Sequence, residues 1–128
     1  MVAGMSPVLR DGEFVFATLA EGIEIDLSLH PLAWFREAEG VTVILDRASA
    51  AGAGFDVGLP MRQITLEVHS ALDGVGLTAA VASALAGAGI PCNVVAAFHH
   101  DHVFVPTAMA ETALAVLRAL QDEARSQK

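Results

Sequence analysis

The chain has 128 residues, the usual size of one domain or of two small packed subdomains. Hydrophobic residues make up 54% of it and aromatic residues only 5%, so small aliphatic side chains must build the core. The net charge of −8, with only seven Lys and Arg residues, leaves no basic footprint for nucleic acid or an anionic membrane. So much apolar mass favours a homo-oligomer, most simply a dimer.

The single cysteine and the N-terminal residues favour a cytoplasmic protein. Cys92 stands alone, so no intramolecular disulfide forms, and its apolar neighbours predict a small core residue. The first residues, MVAGMSPVLRDGEF, lack the charged-then-apolar pattern of a signal peptide. Residues 74–98 carry no charge, but Gly87, Gly89 and Pro91 interrupt them. They predict a buried helix, a turn and a buried strand rather than a membrane span.

The first half of the chain predicts short strands and two helices. FVFATL, residues 14–19, is a strand by its β-branched and aromatic content, and residues 23–27 form a short edge strand. Pro31 opens a helix, PLAWFREAEG, that ends at Gly40 and rests on the core through Trp34 and Phe35.

A strand, a capped helix and a loop complete this half. Residues 41–45 form the strand, and Asp46 caps a short helix, RASAAGAG. The glycine-rich residues 52–60 form a loop. The expected division of the chain is therefore an N-terminal unit of residues 1–60 and a C-terminal unit of residues 61–128.

The second half predicts the order β-α-β-β-α. Its elements are a strand over 62–69, a polar turn over 70–76, a helix over 77–86, strands over 94–98 and 103–105, and a helix over 107–124. VTVILDRASAAGAG and HVFVPTAMAETALA share the order strand, capping residue and small-residue helix, which suggests two related units.

The stretch FHHDHVFVP, residues 98–106, concentrates side chains that bind metals. One interpretation is a metal-binding protein or metal-dependent enzyme that uses His69, His99, His100 and His102. The other is a hairpin whose turn at His99–Asp101 makes the histidine side chains diverge. Asp101 is then either a turn residue or a partner for a ligand ammonium.

The turn before the predicted helix at residue 77 is the second candidate site. Gly74 and Gly76 would let a ligand approach the backbone, and a helix N-terminus offers free N–H groups and partial positive charge to a carboxylate. The alternative is a glycine turn with no ligand.

These residues carry a family resemblance. The segment LEVHSALDGVGLTAAVASALAGAGIPCNVVAAFHHDHVFVP resembles an ACT domain, a small-molecule sensing module, and PLAWFREAEGVTVIL fits the same family. More closely, the chain resembles a family of bacterial ACT-domain proteins that is labelled as a domain of unknown function. More distantly, it resembles the CASTOR-type arginine sensors, with which it shares the pattern of Asp101-His102, an apolar run and Pro106.

The resemblance implies an α+β fold of two tandem ferredoxin-like βαββαβ units, with antiparallel sheets and helices on one face. The chain departs from that pattern because only Ser126-Gln127-Lys128 follow the last helix, so the fourth strand is absent from its expected place. We expect the strand over residues 14–19 to supply it by exchange between the two halves.

The resemblance also implies a non-catalytic regulator that binds a small molecule, most simply an amino acid, and needs no cofactor. The implied ligand-binding residues are Ser70, Asp73, Gly74, Val75, Gly76, Leu77 and Thr78 in the loop, with Ala97, Phe98 and Asp101 near the hairpin. The proline usual in this loop is absent, so its detailed conformation does not follow from the resemblance.

Overall fold

The computed structural model describes residues 2–67 and 76–127. The chain forms two compact units: the N-terminal unit is Gly12–Met61, and the C-terminal unit combines Met1–Asp11 with Arg62–Lys128. Each unit is α+β and consists of an antiparallel sheet with one or two helices packed against one face. The expected ferredoxin-like class is confirmed.

The N-terminal unit is a three-stranded sheet of order β3-β4-β2 with one short helix. Its elements are β2 (Phe14–Ala20), β3 (Ala33–Glu37), β4 (Gly40–Asp46) and α1 (Arg47–Gly52). Val15, Val43, Leu45 and Ala50 form its core. The side chain of Asp46 accepts a hydrogen bond from the Ser49 amide at 3.1 Å, so the predicted cap is confirmed together with the strand before it and the helix after it.

The helix predicted over residues 31–40 is wrong. Ala33–Glu37 is a strand that pairs antiparallel with β4, and both Trp34 and Phe35 are exposed instead of resting on the core. Pro31 and Gly40 fit a helix start and stop, but Trp and Phe favour strands and a strong partner strand follows three residues after Glu37.

The edge strand predicted over residues 23–27 is also wrong. A 3-10 turn, Leu27–Leu29, follows this segment, and its cap Asp26 accepts a hydrogen bond from the Ser28 amide at 3.0 Å. The Ser28 hydroxyl and amide bonds lower the pKa of Asp26. This turn stands where the first helix of a βαββαβ unit would lie.

The C-terminal unit is a four-stranded sheet of order β1-β5-β7-β6 covered by two helices. Its elements are β1 (Pro7–Leu9), β5 (Met61–Leu66), α2 (Leu77–Gly87), β6 (Asn93–Ala96), β7 (Asp101–Pro106) and α3 (Ala110–Ser126). The strands and helices predicted for this half are confirmed within the described residues, whereas most of the turn predicted over residues 70–76 lies outside them. The two hairpin strands differ in their bounds, because β6 ends two residues earlier and β7 begins two residues earlier than expected.

The fourth strand comes from the N-terminus, but not from the segment expected. β1 pairs antiparallel with β5, Pro7 opposite Leu66 and Leu9 opposite Ile64, whereas residues 14–19 belong to the N-terminal unit. β1 has only three residues, between a serine and a charged turn, which is too short to show an alternating pattern, so no strand is predicted there from the sequence.

The core of the C-terminal unit lies between its sheet and its helices. Its fully buried members come from every part of the unit: Met5, Ile64, Val81, Leu85, Val103, Val105, Ala113 and Leu117. Cys92 packs against this core, as predicted, and burial raises the pKa of its thiol. The division at residue 60 stays a prediction. In the structure, residues 1–11 lie with the C-terminal unit. Within the described residues, no helix is long and apolar enough to cross a membrane.

Candidate functional site

The β6–β7 hairpin turns over four residues, Ala97 to His100, and the Ala97 amide donates to the His100 carbonyl at 3.1 Å. Phe98 is exposed, and its ring meets the His99 ring edge-on, with centroids 5.0 Å apart. Asp101 opposes Ala96 as the first residue of β7. The interpretation of Asp101 as a turn residue is therefore wrong.

The Asp101 side chain is almost completely buried, at 2% exposure. Along β7, Asp101 lies on the same face as Val103 and Val105, which are both in the core. Asp101 therefore lies on the face that the helices cover. β7 lies next to β5 in the sheet, and His102 bonds to Gln63 and Thr65 near the end of β5. The Asp101 carboxyl therefore lies where β5 ends and the chain proceeds toward α2.

The first turn of α2 supplies the other described part of the predicted site. Gly76 caps the helix with a left-handed φ of +100°, which suits glycine, and makes no side-chain cap bond. Thr78 is exposed, whereas the Leu77 side chain is buried in the core, which leaves Leu77 only its backbone to offer a ligand.

The remaining predicted loop residues, Ser70, Asp73, Gly74 and Val75, lie outside the described residues, as does His69. The union of this loop with the hairpin in one pocket therefore stays a prediction.

A polar chain that the sequence did not reveal joins three strands on the face opposite the helices. Arg10 donates from Nε to Thr65 Oγ1 at 3.2 Å and from Nη2 to Glu67 Oε2 at 3.2 Å. Thr65 Oγ1 and Gln63 Nε2 lie 3.1 and 3.0 Å from His102 Nδ1. No sequence pattern links Arg10 to Thr65, because 55 residues separate them.

The chain of bonds fixes the proton on His102. An amide nitrogen only donates, so Gln63 Nε2 makes His102 Nδ1 an acceptor and leaves the ring proton on Nε2. Burial, and then the positive charges of His100 and Arg10, lower the pKa of His102, while Asp101 opposes the shift. His102 is therefore a neutral link between β7 and β5.

The metal interpretation gains no support from the described histidines. Among residues 2–67 and 76–127, no three His, Cys, Asp or Glu side chains converge as a metal site would require. His99 lies in the exposed turn, and Nδ1 of His102 is occupied by the polar chain.

Two family models match the sequence, and both describe an ACT domain, one over residues 1–62 and the other over residues 59–119. No curated protein matches. A crystal structure of a Vibrio cholerae protein of unknown function is 45% identical, covering 91% of this chain and 90% of its own, with a TM-score of 0.84.

Two more distant structures show the same fold. A protein from Agrobacterium tumefaciens is 19% identical, with a TM-score of 0.75, over 90% of this chain and 87% of its own. The regulatory subunit of aspartate kinase from Thermus flavus is 9% identical, with a TM-score of 0.64, over 89% of this chain and 95% of its own. At these identities the likeness concerns the fold alone.

Proposed function

Because the chain belongs to the ACT-domain family, with one ACT match in each half, we propose that it is a non-catalytic regulator that binds an amino acid. The ligand lies in the C-terminal unit, between the start of α2 and the β6–β7 hairpin. The Thermus flavus neighbour is a regulatory subunit, and the similarity to it supports a regulatory role.

The observation that carries the proposal is the position of Asp101, which lies buried at the first residue of β7 on the face that the helices cover. Asp101 already has an interaction within the chain, and a carboxylate has about four acceptor sites, so a ligand ammonium is a further partner for it. The backbone carbonyls of Ala97 and Phe98 add acceptors beside it. This end of the site thus suits the amino group.

The other end of the site suits the ligand carboxylate. The first turn of α2, Gly76 to Thr78, presents helix N–H groups, and Gly76 adds no side chain that would block them. Ser70, Asp73, Gly74 and Val75 complete the proposed loop. The amino group at Asp101 and the carboxylate at α2 together favour a free α-amino acid.

A thermal-shift screen of the common amino acids tests the proposal. At a concentration one hundred times its Kd, a ligand stabilises the folded chain by about 2.7 kcal/mol. Asp101→Asn removes the charge and should weaken binding by about tenfold or more, each variant being compared with its own unliganded melting point. Asp122→Asn, an exposed carboxyl on α3, is the matched control and should bind normally.

Two results contradict the proposal: no amino acid stabilises protein that circular dichroism shows to be folded, or Asp101→Asn responds like Asp122→Asn. A dimer, a cytoplasmic location, and the narrower resemblances to the unknown-function family and the arginine sensors remain predictions. Arginine therefore belongs in the screen by name.

A further inference from the structure

The N-terminal unit contains an open groove of about 630 Å³. The segment that follows β2, residues 20–27, forms one wall, and β3 with the start of β4 forms the other. This segment ends in the short turn at Leu27–Leu29. Its volume lies within the range of roughly 300–1,000 Å³ that is typical of small-molecule sites.

Three large apolar side chains line this groove and remain exposed. Trp34 is 52% exposed, Ile23 56% and Leu27 62%. Such exposure is costly in water, and three such side chains around one concavity mark a binding surface more than scattered surface residues do.

The groove also carries both signs of charge. Glu21 and Glu24 lie on the β2 side, and Arg36 lies on β3, on the same face as Trp34 by strand alternation. Arg36 makes no side-chain hydrogen bond or ion pair with any described residue. Glu37 also lines the groove, but its carboxyl accepts a hydrogen bond from the Thr42 hydroxyl, so we assign it no ligand role.

The groove reaches across β4. Gly40 and Val41 at the start of β4 line it between Glu24, which follows β2, and Arg36 on β3. Neighbouring strands lie about 4.8 Å apart, so a ligand that contacts both charged walls must extend over more than one strand spacing. The ammonium and carboxylate of a single amino acid are too close together for this, whereas those of a short peptide are farther apart.

We propose that the groove binds a short apolar peptide of two or three residues with free termini. The peptide ammonium lies at Glu21 and Glu24, its carboxylate on Arg36, and its side chains on Trp34, Ile23 and Leu27. This site goes beyond the proposed amino-acid site, since it lies in the other unit and takes a larger ligand.

Trp34 makes the test direct, because it is the chain's single tryptophan and lines the groove. Titration of the full chain with the dipeptide Leu-Leu should change Trp34 emission with a saturable dependence. N-acetyl-Leu-Leu-amide, which lacks both charges, and free leucine should each bind at least about tenfold more weakly, since each loses charge-assisted bonds or apolar contact.

Matched variants separate the groove from general charge effects. Arg36→Gln should raise the Kd for Leu-Leu by about tenfold or more, whereas Arg118→Gln, an exposed arginine on α3, should leave it unchanged. Glu21→Gln with Glu24→Gln should weaken binding similarly, and Glu111→Gln with Glu123→Gln, two exposed glutamates of α3, should not.

Three results overturn the proposal: Trp34 emission does not respond to Leu-Leu at millimolar concentration, free leucine binds as tightly as Leu-Leu, or Arg118→Gln weakens binding as much as Arg36→Gln. Asp101→Asn should leave the Trp34 response intact. If the wild-type chain is stabilised by an amino acid but its Trp34 emission does not respond to Leu-Leu, the groove proposal is rejected and the proposed C-terminal site is retained.

Discussion

At the scale of single residues, Gly40 shows how one position determines a hairpin. It begins β4 opposite Ala20 with a φ of +145°, a backbone conformation that L side chains rarely adopt. A Cβ there would also press into the Leu19 backbone carbonyl, which has no room to move within the paired strands. Gly40→Ala should therefore lower the free energy of unfolding by about 3 kcal/mol or more, as measured by urea denaturation.

Gly22→Ala separates the backbone strain from the steric clash. Gly22 also has a positive φ, +86°, but nothing lies within 4 Å of where its Cβ would stand. Its substitution should cost only the backbone strain, about 1 kcal/mol. Equal losses in the two variants would show that the β3–β4 hairpin relaxes around the new methyl group.

At the scale of elements, the sequence predicts best where a period or a cap is locally complete. Alternation identified β5, and Asp46 at the end of an apolar run identified both β4 and α1. The errors come from non-local pairing. β3 resembles a helix until β4 is known as its partner, and β1 is only three residues long and pairs with a strand more than fifty positions away.

The candidate site, like the fold, could be predicted from the sequence only where the signal is local. The sequence indicated the glycine before α2, because a glycine turn at a helix start is a local signal. The family resemblance pointed to Asp101 as a candidate, whereas its interpretation as a turn residue was wrong. It did not indicate that Asp101 is buried in a strand, since burial depends on the helices packed over β7. The polar chain from Glu67 through Arg10 to His102 and the groove beside Trp34 both need tertiary contacts and were missed.

The bonds that join β7 to β5 make stability depend on pH. The folded pKa of His102 lies below its ordinary value of 6.5, mainly because of burial, so the unfolded chain binds the proton more readily. The contribution of the neutral ring is complete above about pH 6.5 and is lost as the pH falls from there through the folded pKa. The free energy of unfolding should therefore fall as the pH is lowered from about 6.5.

A comparison of two histidine variants tests whether His102 causes this pH dependence. His102→Gln should flatten the pH slope of the urea midpoint below about pH 6.5, because no ring remains to be protonated. His30→Gln, an exposed residue after the Leu27–Leu29 turn, should retain the wild-type slope. A wild-type slope in His102→Gln would place the titration elsewhere in the chain.

At the scale of the whole molecule, sequence order and spatial units differ. The two ACT matches divide the chain near residue 60, yet residues 1–11 build the edge of the C-terminal unit. Gln121 Nε2 and Arg125 Nε on α3 both donate to the Ala3 carbonyl, at 2.9 and 3.0 Å. Met5 is fully buried in the core that α2 and α3 cover. The N-terminus is thus part of the unit that carries the proposed amino-acid site.

Removal of residues 1–11 should consequently destabilise the C-terminal unit. Hydrogen exchange on a chain of residues 12–128 should show lost protection in β5 and α3, which border the missing strand, while β4 stays protected within Gly12–Met61.

In the full chain, Met5→Ala should lower the free energy of unfolding by about 2–5 kcal/mol, because Met5 is fully buried. Met109→Ala, at a partly exposed position, should lower it much less. Two results would contradict the assignment of residues 1–11 to the C-terminal unit. One is that the truncated chain loses protection in β4 rather than in β5. The other is that Met5→Ala and Met109→Ala lower the free energy of unfolding equally.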